Sequence, residues 1–498
     1  MNSRSTCSIW MAALPGRASM PPEAGIAYTA TSGSGPPAAF RTSTSIPAAA
    51  LRTGTKAARS AAASLDIDGK LAETRGGSRT KGDHRILAAG HIARPLIVAA
   101  TLAATLCYCE EPSEPFSIAD SLAHGRFSLE LRPRYNRITE SDYPEVTEGW
   151  TLRTLVGYTT APFHGVRAFV QAIDASHPGY AHFNDDPAKF ATSPYPLLPD
   201  PRYTGVNQAY LDYAGDEGLR ARLGRQVVRL ENSRWVSDND FRQIPQVFDG
   251  ASFAYEGIAN TRLAASWFDH VRTTSGTRSK LRLTLLDAAW NPTPAHSLSA
   301  YAVLHDQPQN GAFTGLANNS YRVVGVKAEG TAWRFGNGLE VPYLADYARQ
   351  DSYAGGDSRI DAAYWRLGAG ISTREVTVRA DREVKGSNHG AYGVQMPLTD
   401  FYAYNGWTLN FFVTPAQGLR DDWLTGRWAL GPVTLYGEAH RFHSDFGSLD
   451  FGREQDLGVT WEVMEGLSAR LQHARYDPGS GLADSTIRKT WLTVTYTY

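Results

Sequence analysis

From Phe127 to the end of the chain, apolar and polar side chains alternate with a period of two. Phe127, Leu129 and Leu131 alternate with Glu130 and Arg132, so one face of this stretch is apolar and the other is charged. The pattern recurs at residues 150–158, 363–371, 376–381, 457–463 and 467–472. Stretches of about 9–12 such residues can cross a bilayer when tilted. The pattern therefore predicts amphipathic membrane-spanning strands.

The turn-rich stretches between these strands are of two lengths. Short ones occur at 213–218 and 257–260, and long ones at 177–206 and 305–319. Alternating short and long connections are typical of the periplasmic turns and extracellular loops of outer-membrane barrels. We count about 18 strands, an even number as a single-chain bacterial barrel requires. The predicted fold is all-β, a single transmembrane antiparallel β-barrel of the bacterial outer-membrane type.

The main alternative fold is a soluble β-sandwich or propeller, whose strands also alternate. Such a fold would have to bury all the Trp, Leu and Val residues in one dry core. A barrel offers lipid to the apolar face and a watery lumen to the charges, which avoids several kcal/mol for each unpaired buried charge. The alternating ending 491–498, with Tyr498 last, resembles the strand by which outer-membrane proteins are recognised. We therefore expect the barrel-assembly machinery as a partner.

The aromatic residues separate the leading part of the chain from the rest. Of 55 Trp, Tyr and Phe residues, only Trp10, Tyr28, Phe40 and Tyr108 precede residue 110. Residues 1–84 consist largely of small and polar residues that cannot bury enough apolar surface to offset the entropy of ordering. We predict that 1–84 is a low-complexity leader, either disordered or mis-assigned.

A short apolar run at 96–106 follows Arg94 and precedes acidic residues. It is shorter than the roughly 20 apolar residues of a membrane-spanning helix, and its layout is that of a secretory signal peptide. We predict a signal peptide at 85–109 and the barrel at 110–498. The three cysteines, Cys7, Cys107 and Cys109, all precede the barrel, so disulfides are not expected to stabilise it.

Charge and motifs exclude several functional classes. Residues 95–498 carry 37 basic and 45 acidic residues, a balance that does not indicate a nucleic-acid partner. The chain holds no metalloprotease, nucleophile-elbow, Walker or Cys-x-x-Cys motif. His440 and His443, beside Glu438 and Asp445, are the one place for a proton relay, and no nucleophile accompanies them. We expect a protein that is not an enzyme, with no catalytic residue, cofactor or metal.

Two blocks of sequence carry a family resemblance. The first contains NQAYLDY at 207–213, LGRQ at 223–226, RWV at 234–236 and RQ at 242–243 with FDG at 248–250. The second contains YGVQMPL at 392–398, NGW at 405–407 and TPAQGLRD at 414–421. Both resemble, in the same order, the alginate-export family of outer-membrane barrels, although Gly250 stands where the family pattern has alanine.

The resemblance covers roughly residues 124–498 and implies an 18-stranded barrel with an arginine-lined constriction that passes anionic polysaccharide. Guanidinium groups pair bidentately with carboxylates, and arginine rings line anion pores. The predicted pore residues are Arg225, Gln226, Arg229, Arg234, Arg242, Gln243 and Asp249, joined through strand alternation by Arg132, Arg134 and Arg153. Alternation also directs Arg366 and Arg379 inward. A second interpretation stays open, in which these arginines only brace the interior.

We expect a monomeric channel in the bacterial outer membrane, in contact with outer-membrane lipid, for anionic oligo- or polysaccharides or small anions. The excess of acidic residues argues against alginate itself as cargo. Two alternatives remain: a general solute porin, and a non-conducting structural or adhesion barrel plugged by loops such as 177–206.

Overall fold

The computed structural model describes residues 117–189, 192–308, 316–482 and 485–498. The predicted leader at 1–84 and the predicted signal peptide at 85–109 lie outside these residues. Within the described part of the chain, no helix is long and apolar enough to cross a membrane.

A short helix and nineteen strands make up most of the regular structure in the described ranges. Helix α1 (Ile118–Ala123) begins after Ser117, whose hydroxyl accepts a hydrogen bond from the Asp120 amide as an N-cap. A turn of 3-10 helix spans Pro187–Lys189. The strands are β1 (Arg126–Glu140), β2 (Thr147–Thr159), β3 (Val166–Ser176), β4 (Ala181–His182), β5 (Tyr203–Ala214), β6 (Leu219–Gln226), β7 (Val247–Tyr255), β8 (Thr261–Arg272), β9 (Arg278–Thr293), β10 (His296–Asp306), β11 (Tyr321–Arg334), β12 (Glu340–Ser352), β13 (Asp361–Ser372), β14 (Val376–Lys385), β15 (Leu419–Leu430), β16 (Val433–His443), β17 (Asp450–Met464), β18 (Leu467–Asp477) and β19 (Ile487–Thr497).

The strands form one closed antiparallel sheet. Each long strand pairs with the next long strand along the chain, and β19 also pairs with β1, from Glu130 opposite Thr497 to Glu140 opposite Ile487. The two-residue β4 pairs only with the start of β2, so the barrel itself has 18 strands. Closure leaves no unpaired strand edge to face lipid. The predicted all-β barrel of about 18 strands is confirmed.

The two ends of the barrel differ in the length of their connections. At one end the turns are short, as at 215–218, 431–432 and 465–466, and the last residue, Tyr498, lies there. At the other end the connections include 227–246 and 386–418. We call these the short-turn end and the long-loop end. In outer-membrane barrels short turns face the periplasm and long loops face the exterior.

Side chains alternate between the outer surface and the lumen. In β17, Leu457 and Trp461 are 69% and 49% exposed, whereas Glu454 and Asp456, which precede them on the other face, are fully buried. The outer face therefore presents large apolar side chains to lipid, and the inner face carries polar groups that need partners in the lumen.

Two of the long connections fold into the lumen. We call residues 227–246 the first inward segment and residues 386–418 the second inward segment. Trp235 of the first belongs to one buried cluster with Leu283 and Val323 of the wall. Phe241 of the first segment stacks on Tyr402 of the second, with ring centroids 4.5 Å apart. An 18-stranded barrel is too wide to be filled by wall side chains alone, and these segments occupy part of its interior.

The connection between β3 and β5 reaches the first inward segment. It covers residues 177–202 of the predicted loop 177–206, whose last four residues belong to β5. The Asp200 carboxylate accepts a hydrogen bond from the Gln243 amide at 3.0 Å, and Asp200 and Leu198 are buried. This connection therefore packs onto the inward segment.

Candidate functional site

A cavity of about 710 Å³ lies in the lumen, lined in part by Ser468 and Thr497 near the short-turn end. Its lining combines wall residues with residues of both inward segments. Seven arginines contribute: Arg132, Arg134, Arg153, Arg229, Arg366, Arg379 and Arg470. Five carboxylates contribute: Glu130, Asp238, Asp240, Glu329 and Asp400. The cavity thus carries an excess of guanidinium groups, with serine and threonine hydroxyls beside them.

Two of these arginines hold the first inward segment against the wall. Arg132 of β1 donates to the backbone carbonyls of Asp240 at 2.6 Å and Phe241 at 2.8 Å, and also to that of Arg242. Arg153 of β2 donates to the Asp240 carboxylate at 2.8 Å and pairs with Glu130. Arg153 also donates to the carbonyls of Asp240 and Arg242, so the two arginines together satisfy three carbonyls of the first inward segment.

Arg132 and Arg153 lie directly opposite each other in the β1–β2 pair, a like-charge contact that is unfavourable without an anion nearby. Asp240 supplies that anion. Burial raises the pKa of Asp240, but the adjacent Arg153 and Arg132 outweigh burial and lower the pKa to about 2. Asp240 is therefore ionised over the whole physiological range.

Arg134 is the next lumen-facing residue of β1. It contacts the first inward segment by lying over the face of the Phe241 ring. Its guanidinium carbon lies 3.5 Å from the centroid of the Phe241 ring, and its Nε donates to the Thr493 hydroxyl at 3.0 Å. A buried cation over an aromatic face is a favourable arrangement. Arg134 thus both lines the cavity and clamps the segment.

On the opposite side, Arg366 of β13 and Arg379 of β14 share one carboxylate, Asp381. The nitrogen to oxygen distances are 2.9 Å from Arg366 and 2.6 Å from Arg379. The Arg366 guanidinium also lies over the rings of Trp423 and Tyr404, at 4.8 and 5.5 Å. Two positive charges facing one negative charge leave this part of the lining cationic.

Two predicted arginines of the first inward segment have different surroundings. Arg229 forms a bidentate pair with Asp238, at 2.8 and 2.6 Å, yet its side chain is 58% exposed to the lumen. Arg234 is buried and forms a bidentate pair with Glu383 of β14, at 2.7 and 2.6 Å. Arg229 can therefore meet a solute, whereas Arg234 acts as a brace.

Three other predicted residues are buried among protein atoms. Gln243 donates to the Thr151 hydroxyl at 2.8 Å, Gln226 accepts from the Ser252 hydroxyl at 3.0 Å, and Arg242 lies 3.9 Å from the Asp200 carboxylate. None of the three is among the residues that line the described cavity. Gln243 and Arg242 thus hold the first inward segment in place, whereas the contacts of Gln226 join the wall strands β6 and β7.

Arg225 and Asp249 depart from the predicted placement. Arg225 lies two residues after Leu223, which is 62% exposed on the outer face, and is followed by the buried Gln226. Alternation therefore directs the Arg225 side chain away from the lumen, where it pairs with Asp249 at 2.6 Å. The departure from the family pattern at Gly250 has a steric basis, because a Cβ there would lie 2.1 Å from the Trp267 carbonyl oxygen.

The NGW motif at 405–407 anchors the second inward segment on the opposite wall. Asn405 donates to Glu383 at 2.8 Å and to Asp421 at 3.1 Å, and the Trp407 amide donates to Asp456 at 3.4 Å. Between them Gly406 has φ +86° and approaches Glu454 so closely that a Cβ would lie 2.4 Å from its carboxyl carbon. Only glycine fits there without displacement.

The inner face of β15–β17, where this motif is anchored, also contains the histidine considered for proton relay. His440 lies between Asp421 and Glu438, with nitrogen to oxygen distances of 3.0 and 3.1 Å. Glu438, His440 and Asp456 offer donor atoms within 4.8 Å of one another. These groups could hold a metal ion, although Asp456 already accepts a hydrogen bond from the Trp407 amide of the second inward segment. In this structure the cluster is an ion-paired network around His440.

Sequence reasoning missed the acidic partners in the lumen, Asp240 and Asp400, and also Arg470. The available signal was the density of buried aromatic residues in stretches that do not alternate, such as Tyr402, Tyr404 and Trp407 in the second inward segment. A connection so rich in aromatic residues is unlike a solvated extracellular loop.

Comparisons with known proteins agree with this architecture. The family model described as alginate export matches residues 130–379. A comparison with curated proteins found no match.

Several solved structures share the fold. OpdL of Pseudomonas aeruginosa aligns with a TM-score of 0.57 at 16% identity, over 76% of this chain and 99% of that one. OccAB4 of Acinetobacter baumannii aligns at 0.59 and 13%, over 75% and 98%. OpdK of Pseudomonas aeruginosa, solved with vanillate, aligns at 0.57 and 14%, over 75% and 98%. At these identities the likeness concerns the fold alone.

The family match spans half of the chain, and the 18-stranded barrel is the fold of an outer-membrane channel for solutes. The chain belongs to the alginate-export family of outer-membrane β-barrel proteins.

Proposed function

We propose that this outer-membrane channel takes anionic saccharides, or related small carboxylates, through its arginine-lined cavity. The observation that carries the proposal is the set of seven guanidinium groups around one luminal cavity of about 710 Å³. Guanidinium forks bind carboxylates bidentately, and arginine rings favour anions in pores.

Two of these arginines, Arg229 and Arg470, remain able to bind a solute. The Arg229 side chain is 58% exposed, and Arg470 takes part in none of the ion pairs formed by the described residues. Serine and threonine hydroxyls at Ser468, Thr493 and Thr495 lie in the same lining, and hydroxyls of this kind pair with sugar hydroxyls. Arg132, Arg153 and Arg366 are occupied in bracing, and they contribute positive potential rather than direct contacts.

Two outside observations support an anionic cargo. The family model that matches this chain is described as alginate export, and alginate is a polyuronate. The structurally similar OpdK was solved with vanillate, which is also a carboxylate. The five luminal carboxylates favour a second candidate, a general solute porin in which positive and negative groups only shape the pore.

The test is single-channel current in planar bilayers with protein purified from outer membranes. Polyuronate oligomers and neutral oligosaccharides of equal length are added in separate runs. We expect anion-selective current that the polyuronate blocks and the neutral sugar does not. The variant Arg470→Glu should weaken the block at least about threefold, as loss of a solvent-accessible ion pair does.

The matched control is Arg282→Glu, which makes the same charge change at a side chain that is 76% exposed on the outer face. It should leave the block unchanged. Equal block by both sugars, or equal weakening by both variants, would favour the general porin, and absence of current would favour the plugged barrel.

A further inference from the structure

Four neighbouring strands carry a row of arginines on their outer surface, close to the long-loop end. The row consists of Arg441 on β16, Arg453 on β17, Arg475 on β18 and Arg488 on β19, and all four are exposed. The Arg453 and Arg475 side chains are 69% and 45% exposed. We call this set the arginine row.

The arginine row lies at the long-loop end of the four strands, beyond the large apolar side chains of their outer face. On β17, β18 and β19 an exposed leucine on the same face stands four residues from the arginine. These pairs are Leu457 with Arg453, Leu471 with Arg475, and Leu492 with Arg488. Four residues of strand span about 13 Å, so each of these arginines lies about that far along its strand from the leucine, towards the long-loop end.

The other end of the same strands is different. Near the short turns their outer face carries Trp461, Val463 and Tyr496, as an aromatic girdle does. The positive charge is therefore confined to the end that faces the outer leaflet. Outer-leaflet headgroups with phosphate groups would meet complementary charge only at this end.

The register of the sheet places these charges against one another. Arg441 is directly opposite Arg453, and Arg475 is directly opposite Arg488. Like charges opposite each other across a strand pair are destabilising. Among the ion pairs of the described residues, Asp477 is the one carboxylate that pairs with any of the four. Asp422, opposite Arg441, pairs instead with Arg382 and Arg420.

We propose that the arginine row binds the phosphate groups of a phosphorylated glycolipid in the outer leaflet, such as bisphosphorylated lipid A. A phosphate between two opposed guanidinium groups accepts bidentate hydrogen bonds from both and removes their repulsion. The acyl chains then lie along the leucine band beneath the row. This binding is independent of what the lumen transports.

The test is native mass spectrometry of the full barrel in detergent, titrated with bisphosphorylated lipid A and, separately, with its dephosphorylated form. We expect the phosphorylated lipid to bind more tightly. Arg475→Gln combined with Arg488→Gln should weaken its binding about tenfold, the loss expected for charge-assisted hydrogen bonds. Arg334→Gln, which removes an exposed arginine at the short-turn end, is the matched control and should leave the affinity unchanged.

Three outcomes would overturn the proposal: unchanged affinity in the double variant, equal affinity for the dephosphorylated lipid, or displacement of the lipid by millimolar inorganic phosphate, which would indicate a site for free anions. Thermal unfolding without lipid checks that the double variant folds. If it does not, the single variant Arg453→Gln provides the test, with an expected loss of about threefold.

Discussion

Two parts of the lumen wall hold the two inward segments by opposite chemistry. The inner face of β1 and β2, with Arg132, Arg134 and Arg153, forms a basic wall. The inner face of β15–β17 forms an acidic wall, with Asp421, Glu438, Glu454 and Asp456. The basic wall binds backbone carbonyls of the first inward segment, and the acidic wall binds backbone amides of the second.

The contacts show the contrast directly. Arg132 donates to the carbonyls of Asp240 and Phe241. Glu454, in contrast, accepts from the Thr408 amide at 2.6 Å and from the Thr408 hydroxyl. Buried backbone groups must find partners, and a guanidinium can only donate whereas a carboxylate can only accept. The basic wall therefore binds backbone carbonyls, and the acidic wall binds backbone amides. For this reason the two segments could not exchange places.

The two anchoring systems meet at Arg234, where we expect the largest effect. Arg234 of the first segment pairs with Glu383 and donates to Asn405 of the second segment at 3.2 Å. Arg234→Met leaves Glu383 buried without a cation, which should lower the free energy of unfolding by about 3–5 kcal/mol. Thermal unfolding of the detergent-solubilised barrel measures this.

The control for that variant is the pair Arg234→Met with Glu383→Gln, which removes both charges and should recover much of the lost stability. A single variant as stable as the parent protein would show that the interior is open enough to hydrate Glu383, contrary to its exposure of 1%.

A smaller effect is expected from a variant that alters the basic wall and leaves the acidic wall intact. Arg132→Met removes the donor to the Phe241 carbonyl and one of the two donors to the carbonyls of Asp240 and Arg242, at a cost of about 1–3 kcal/mol. Hydrogen exchange should rise in the first inward segment and stay unchanged at residues 405–409 of the second.

Glu454→Gln is the matched change on the acidic wall. It should raise exchange at residues 405–409 and leave residues 238–243 protected. If either variant loosened both segments equally, the walls would not act separately, and the interior would behave as one cooperative unit.

The smallest expected effect is a dependence of stability on pH, and it involves only the basic wall. Burial alone would raise the pKa of Asp240, but Arg153 and Arg132 lower it from 3.8 to about 2. The contribution of Asp240 to stability is therefore complete above about pH 4 and is lost as pH falls towards about 2. In bilayer recordings, current fluctuations from the first inward segment should increase over that window.

Asp240→Asn should show the increased fluctuations already at neutral pH and no further change on acidification. The same fluctuations below pH 4 in this variant would assign them to another carboxylate.

Much of the barrel wall could be predicted from the sequence because strand alternation is local. Lumen-facing Arg132, Arg153 and Arg366 each alternate with apolar neighbours, and the period of two directs them inward without knowledge of any distant contact. The same rule, applied to Leu223 and Gln226, also directs Arg225 outward. The prediction that Arg225 lines the pore rested on several arginines lying close together in sequence. That is weaker evidence for the direction of a side chain than strand alternation.

The candidate site itself depends on contacts that are remote in sequence. Arg132 and the carbonyl of Asp240 are 108 residues apart, and Arg234 and Glu383 are 149 apart. Strand alternation does not show that residues 227–246 and 386–418 turn into the lumen, since a connection of either kind interrupts it. The aromatic residues of the second inward segment are a local signal of burial, but they do not identify its contacts.

The sequence by itself determined the strands, their two faces and, through the motif block at 207–250, the family. Only the tertiary structure decided which arginines line the cavity and which brace it. The physical reason is that a strand's faces follow from its own period, whereas the burial and pairing of a charge depend on which distant segment folds against it.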